Sequence, residues 1–238
     1  ALKSVSIPAT VQTIGNYAFE ARKDEGKLAS VTFEKEADGS TALKSIGNVA
    51  FKYQCFPTIE IPKSVTSLGN NSFSYNSALV SFTFEEGTQI KSFGTSLIEN
   101  CPLIETFTVP KSVTTLGNSD FANCTSLKSV IFEEGSALTS VGSSTFKASG
   151  IVSITFPEGV TTFTTVKSPT VTSSNTLFQD CVNLTSVTFG SKTTFLAKQM
   201  FKGCTALETI NIPDTVNMIG AECFKDCTAL KTVNFGEN

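Results

Sequence analysis

Seven cysteines are the residues of this 238-residue chain whose chemistry most needs an explanation. A thiolate binds soft metals and attacks carbonyl carbon, and two neighbouring thiols oxidise to a disulfide. Five of the seven, Cys101, Cys124, Cys181, Cys204 and Cys227, stand three residues after a large apolar residue: Ile98, Phe121, Phe178, Phe201 and Phe224. The same place elsewhere holds Arg22, Gln54, Asn76 and Ser149. A metal or bridge position does not vary so freely, so buried structural thiols are expected. Stacked repeats do bring Cα atoms near the ~5.5 Å of a disulfide, which leaves Cys101–Cys124 and Cys204–Cys227 open as pairs. With no histidine in the chain, neither a mixed Cys/His zinc site nor a Cys–His nucleophile can form.

Ser144-Thr145-Phe146-Lys147 matches the S-x-x-K of serine β-lactamases and penicillin-binding proteins, where Ser is the nucleophile. Its usual partners S-D-N and K-T-G are missing, and Phe146 belongs to the regular apolar series, so the match reads as coincidence. Sequons at Asn70, Asn123 and Asn183 matter only in a eukaryotic secretory pathway. No catalytic residue, metal ligand or cofactor is implied, and a non-enzyme is expected.

The cysteines are one column of a repeat of about 23 residues, L-x-x-V-x-I-P-x-x-V-x-x-I-G-x-x-A-F-x-x-C. Its opening triplet occurs ten times, from Leu2/Val5/Ile7 through Ile104/Phe107/Val109 to Leu230/Val233/Phe235. Between successive triplets sits a plug: Phe19, Phe51, Phe73, Ile98, Phe121, Phe146, Phe178, Phe201 and Phe224. Fixed-period self-similarity means a solenoid, in which each unit buries its apolar stripe against the next. Odd units continue with Pro (Pro8, Pro62, Pro110, Pro157, Pro213), while units four and six run through Glu85-Glu86-Gly87 and Glu133-Glu134-Gly135. The underlying module is therefore a pair of about 48 residues, with Pro ending a short strand because it lacks an N–H.

The apolar pair at period two within each triplet predicts a strand, and stacked units predict a parallel sheet. The turn Gly, as in Leu116-Gly117-Asn118, is expected to supply a positive φ. Phe121 and Cys124, three apart, are expected to share one helical or 3-10 turn. The fold class is thus a leucine-rich-repeat solenoid: β-rich, a parallel sheet on the concave face, short helical or 3-10 turns and little regular helix. We expect residues 1–238 to form a single repeat domain of about ten 22–32-residue units, a fragment lacking one or both caps. Two units are lengthened, one by the charged stretch 34–42, read as a solvated loop, and one by the polar insertion 164–175, which reads as a tolerated surface loop or, as insertions in solenoids often are, a functional one.

Charged residues are 16% of the chain, net charge is −3 and the pI is about 5.1, so no basic field exists to hold nucleic acid or an anionic bilayer. No apolar run reaches the ~20 residues of a membrane span, and membrane insertion is not expected.

The outward positions of the strands are the candidate site. The residue before the middle of each triplet is Ser or Thr in all ten units, and the next outward position is often Thr. The candidate partner-binding face comprises Ser81, Thr83, Thr106, Thr108, Ser129, Ser153, Thr155, Ser186, Thr188 and Thr209. Short hydroxyls are ordinary on an exposed sheet, since Thr has good strand propensity. As a docking face they suit a large protein or glycoprotein better than a free sugar, because the chain has no Trp and only Tyr17, Tyr53 and Tyr75 as stacking platforms. An ice-binding array is disfavoured, as only Thr106/Thr108 gives a strict T-x-T.

Residues such as Leu207-x-x-Ile210-x-Ile212-Pro213-x-x-Val216-x-x-Ile219-Gly220-x-x-Cys223-Phe224-x-x-Cys227 resemble the BspA-like leucine-rich-repeat family along essentially the whole chain. Unit eight departs most, with Gly190 in the Pro slot and Ala197 in the turn-Gly slot. The resemblance implies a secreted or cell-surface protein of host-associated bacteria or mucosal protists, acting in adhesion to host matrix or cell surfaces. An inert spacer that presents another domain is the alternative.

Overall fold

The structure, a computed structural model, describes residues 2–23, 25–163, 170, 172 and 174–236; most of the 164–175 insertion lies outside the described residues. All ten predicted triplets form strands. They are β1 (Ser4–Ile7), β3 (Ser30–Phe33), β5 (Thr58–Ile61), β7 (Ser81–Phe84), β8 (Thr106–Val109), β10 (Ser129–Phe132), β12 (Ser153–Thr155), β13 (Ser186–Thr188), β15 (Thr209–Ile212) and β17 (Thr232–Phe235). Every pairing is parallel and in unit register, as in Thr106↔Ser129 and Ile210↔Val233.

These strands do not make one continuous ladder. They pair two by two, β1 with β3, β5 with β7, β8 with β10, β12 with β13 and β15 with β17, so each proline-bearing odd coil pairs with the even coil after it. At the end of a pair the even coil donates back to the odd: Glu34 N–H to Ile7 O at 2.8 Å, Glu85 to Ile61 at 2.9 Å, Glu133 to Val109 at 3.2 Å. The residue that would make that bond to the preceding pair is Pro62, Pro110, Pro157 or Pro213, which has no N–H to give. The alternation read from the sequence is thus a break in the hydrogen bonding. Carboxylates mend the same corner, with Glu85 accepting from the Lys63 N–H at 2.9 Å and Glu133 from the Lys111 N–H at 2.8 Å.

A second ladder follows half a turn later. It includes β2 (Thr13–Ile14), β4 (Ser45–Ile46) and β6 (Ser67–Leu68) in one three-stranded sheet, and β9 (Thr115–Leu116) paired with β11 (Ser140–Val141). Farther along, β14 (Phe195–Leu196) pairs with β16 (Met218–Ile219). The glycine after these pairs does not take a positive φ, contrary to expectation. It is there for room: a Cβ on Gly69 would lie 2.4 Å from the Asn48 N, and one on Gly142 would lie 2.6 Å from the Asn118 N. Ala197, in the same slot of coil eight, is fully buried.

The plug segments are hydrogen-bonded turns, and no helix occurs among the described residues. Left-handed residues interrupt any helical winding on both sides of the plug, for example Ser119 (φ 58°) and Asn123 (φ 58°) around Phe121. The alternation turns every second N–H toward the next coil: Phe51 reaches Ser72 O at 2.8 Å, Phe73 reaches Leu97 O at 3.1 Å and Phe121 reaches Thr145 O at 2.9 Å. A third ladder therefore runs along the plugs. Inside it the rings stack, Phe121 on Phe146 at 5.5 Å and 9°, Phe146 on Phe178 at 5.5 Å and 10°. Ile98 breaks that column, and Phe107 packs edge-on against Phe121 at 4.7 Å across the break. One interior runs through the stack, with Phe73, Phe121 and Phe178 all fully buried in the same cluster.

Candidate recognition surface

The β-pleat places the candidate hydroxyls opposite the buried residues of each strand. Thr106, Thr108, Ser153, Thr155, Ser186, Thr188, Thr209 and Thr83 are exposed, and Ser81 and Ser129 are half-buried. Strand register lines them up across coils: Thr106 beside Ser129, Ser153 beside Ser186, Thr155 beside Thr188. Ile131, in register with Thr108, stands 51% exposed in the middle of this face. Val80 and Val152, each one residue before a first-column serine, are 52% and 40% exposed.

Hydroxyl bonding separates this face from the rest of the molecule. At the bends the side chain bonds the carbonyl of the preceding coil: Thr114 to Lys91 O at 3.0 Å, Thr139 to Thr114 O at 3.2 Å, Thr161 to Thr139 O at 3.3 Å. On the strand face, Thr106 and Ser129 share a 3.3 Å contact and Thr83 makes a marginal 3.5 Å bond to Ile59 O. Among the described residues the hydroxyls of Ser81, Thr108, Ser153, Thr155, Ser186, Thr188 and Thr209 have no protein partner and stay available to an incoming group.

The cysteine slot has a structural task. Each slot thiol donates to the carbonyl of the plug one coil back, Cys124 to Ile98 O at 3.2 Å, Cys181 to Phe146 O at 2.9 Å and Cys227 to Phe201 O at 3.0 Å. Gln54 supplies the same donor to Phe19 O with its carboxamide. Cys and Gln interchange there because both can donate to that carbonyl; Asn76 donates instead to its own plug, Phe73 O, at 2.8 Å, and Ser149 contacts the Cys181 thiol at 3.7 Å. All seven cysteines are free thiols. Burial pushes the thiols of Cys101, Cys124, Cys181 and Cys223 up, those of Cys124 and Cys181 to about 12. Among the described residues no group of His, Cys, Asp or Glu is placed to hold a metal. Ser144 of the S-x-x-K match bonds the Thr176 hydroxyl at 2.6 Å, and Phe146 is a fully buried plug.

Sequence reasoning passed over Asp120. It is fully buried and accepts the N–H of Gly117 at 2.6 Å and of Leu97 at 3.2 Å, and burial raises its carboxyl to about 7. The available signal was its place one before the plug, where the other coils carry Ala18, Ala50, Ser72, Leu97, Thr145, Leu177, Met200 and Cys223. A cleft of about 550 Å³ is an open groove between residues 85–91 and 133–137. Its carboxylates Glu85 and Glu133 are the backbone caps already described.

The BspA type leucine rich repeat region matches in six copies over residues 1–39, 44–167 and 163–238. The chain belongs to the BspA-type leucine-rich-repeat family. Among solved structures it is similar to a leucine-rich repeat protein from Bacteroides ovatus, at 24% identity and TM-score 0.66, over 96% of this chain and 65% of that one. The pneumococcal vaccine antigen PcpA is similar at 22% identity and TM-score 0.62, over 99% of this chain and 62% of that one. A leucine-rich repeat protein of T. pallidum is similar at 18% identity and TM-score 0.64, over 83% of this chain and 86% of that one. The BspA-type chain thus spans less than two thirds of the first two relatives, and at these identities the likeness is one of fold. No curated protein is significantly similar. No helix among the described residues is long and apolar enough to cross a membrane.

Proposed function

We propose that this BspA-type repeat is a non-enzymatic, extracellular recognition or adhesion module, secreted or held at the cell surface, that takes a protein or glycoprotein of host matrix or host cells on its hydroxyl-lined strand face. The unpartnered hydroxyl array carries the reading, since bend hydroxyls of the same chemical type are consumed by backbone carbonyls. The exposed side chain of Ile131, in register with Thr108, supplies what a hydroxyl field alone lacks, a contact that releases water. Near-neutral charge suits a large glycoprotein surface and offers nothing to polyanions. The similarity to a vaccine antigen supports exposure to a host.

Capture of extracellular-matrix and epithelial-surface proteins by the wild-type chain, compared with a Thr106→Lys/Ser129→Lys/Ser153→Lys/Ser186→Lys variant, tests this. Lost capture with an unchanged melting temperature supports the reading, and equal capture by both chains makes the repeat an inert spacer.

A further inference from the structure

The slot two residues after the plug is left-handed in every coil but the first, where it holds Ala21. Six of those eight coils carry Asn, Asp, Gly or Ala: Asn100 (φ 57°), Asn123 (φ 58°), Ala148 (φ 52°), Asp180 (φ 62°), Gly203 (φ 76°) and Asp226 (φ 61°). Coils two and three instead carry Tyr53 (φ 61°) and Tyr75 (φ 60°). A bulky aromatic is a conformational outlier there, and two in adjacent coils place the same strain side by side. The side chains offer a reason. The two rings lie 4.9 Å apart, tilted 47°, with the Lys52 ammonium 5.0 Å from each centroid. They form one wall of a cleft of about 330 Å³ whose rim carries Lys23, Ser77, Asn100 and Pro102.

We propose that this cleft is a saccharide-binding subsite, separate from the hydroxyl face, in which the C–H face of a neutral pyranose lies on Tyr53 and Tyr75. The volume is at the small end of the ~300–1,000 Å³ of small-molecule sites, room for one or two sugar rings and not for an extended peptide. A cationic ligand is disfavoured because Lys52 already sits over both rings, outside the cleft lining, and would repel a second positive charge. An anion would find a single lysine, Lys23, and no arginine in the lining, short of a clamp for phosphate or carboxylate. What remains is a neutral ligand with one apolar face and many hydroxyls, for which the Lys23 ammonium, the Ser77 hydroxyl and the Asn100 carboxamide are the matching polar groups.

The test uses a printed array of methyl glycosides and β-linked oligomers of glucose, galactose and N-acetylglucosamine, with proline-rich peptides on the same slide. Titrations by tyrosine emission follow, which the absence of Trp makes readable. Saturable saccharide binding is expected. It weakens about tenfold or more in Tyr53→Asn/Tyr75→Asn, and persists in Tyr53→Phe/Tyr75→Phe and in the four-lysine face variant. The asparagine variant melts no lower than wild type, because Asn suits the slot. The proposal is overturned if no saccharide binds, if binding survives in the asparagine variant, or if only the proline-rich peptides bind.

Discussion

Cys204 donates its thiol hydrogen to the carbonyl of Phe178 at 3.1 Å, so the slot of one coil ties down the plug of the coil before it. The plug carbonyl is enclosed, and the neighbouring ladder bonds use the carbonyls on either side of it. Phe178 O also accepts the Cys181 N–H at 3.0 Å, whereas among the described residues Ile98 O has the Cys124 thiol as its donor and no backbone one, so removing that thiol leaves a buried acceptor unpaired, at about 1–3 kcal/mol. Cys124→Ser keeps a donor and is expected to cost under ~1 kcal/mol, whereas Cys124→Val strands the Ile98 carbonyl and costs about 1–3 kcal/mol. Urea melts of the two variants check this; equal losses would show that the thiol only fills space. Thiol titration in denaturant is expected to count seven.

The stacked rings should be most expensive to lose where they have neighbours on both sides. Phe121 is fully buried between Phe107 and Phe146, while Phe19 stacks on Phe51 alone, 5.1 Å away, and is only partly buried. Phe121→Ala is expected to cost about 3–5 kcal/mol and Phe19→Ala clearly less. Thermal melts in which the two lose the same stability would contradict a continuous column.

Gly69→Ala should destabilise although its φ is open to any residue. The added methyl meets backbone atoms of the coil beneath at 2.4–2.8 Å, so adjacent coils must part, at about 1–3 kcal/mol. Gly142→Ala should behave alike. A neutral outcome at both positions would mean that the coils separate freely.

Asp120 makes stability depend on pH. Its folded pKa of about 7 lies above the ordinary carboxyl value of 3.8, so the folded state holds the proton more tightly than the unfolded one. The Asp120 contribution to stability is therefore greatest below pH 4, declines as pH rises from about 4 to 7, and is flat above. The full burial of the group makes the loss on the order of 4 kcal/mol, since one pKa unit is about 1.4 kcal/mol. Asp120→Asn, a neutral mimic of the protonated acid, should remove most of this slope between pH 5 and pH 8. Parallel pH profiles for both proteins would rule the buried acid out as its source.

The strand triplets, the plug column and the outward hydroxyls were legible because each is set by a repeating choice between apolar and polar. Features that depend on neighbouring coils were not. The second ladder spans two residues per coil, as at Thr115–Leu116, too short for a period-two signal. The role of Gly69 is a distance to Asn48, a coil away in space and 21 positions away in sequence, so the positive φ expected from its type was the wrong reason for the right residue. The helical turn expected from the Phe121–Cys124 spacing gave way to left-handed residues, because only that alternation aims the plug N–H groups at the next coil. Tyr53 and Tyr75 looked too scattered to form a platform until the stacking set them ring beside ring.

The placement of binding on the strand face is tested most directly by comparing two lysine variants against one matrix-derived partner. Thr106→Lys/Ser129→Lys/Ser153→Lys/Ser186→Lys alters face hydroxyls that bond no backbone carbonyl, and Thr114→Lys/Thr139→Lys/Thr161→Lys alters those already bonded to the backbone. Dissociation constants at physiological salt should rise at least about a hundredfold for the first and stay within about threefold of wild type for the second. Equal constants for the two variants, or a loss confined to the bend variant, would contradict the assignment of this face.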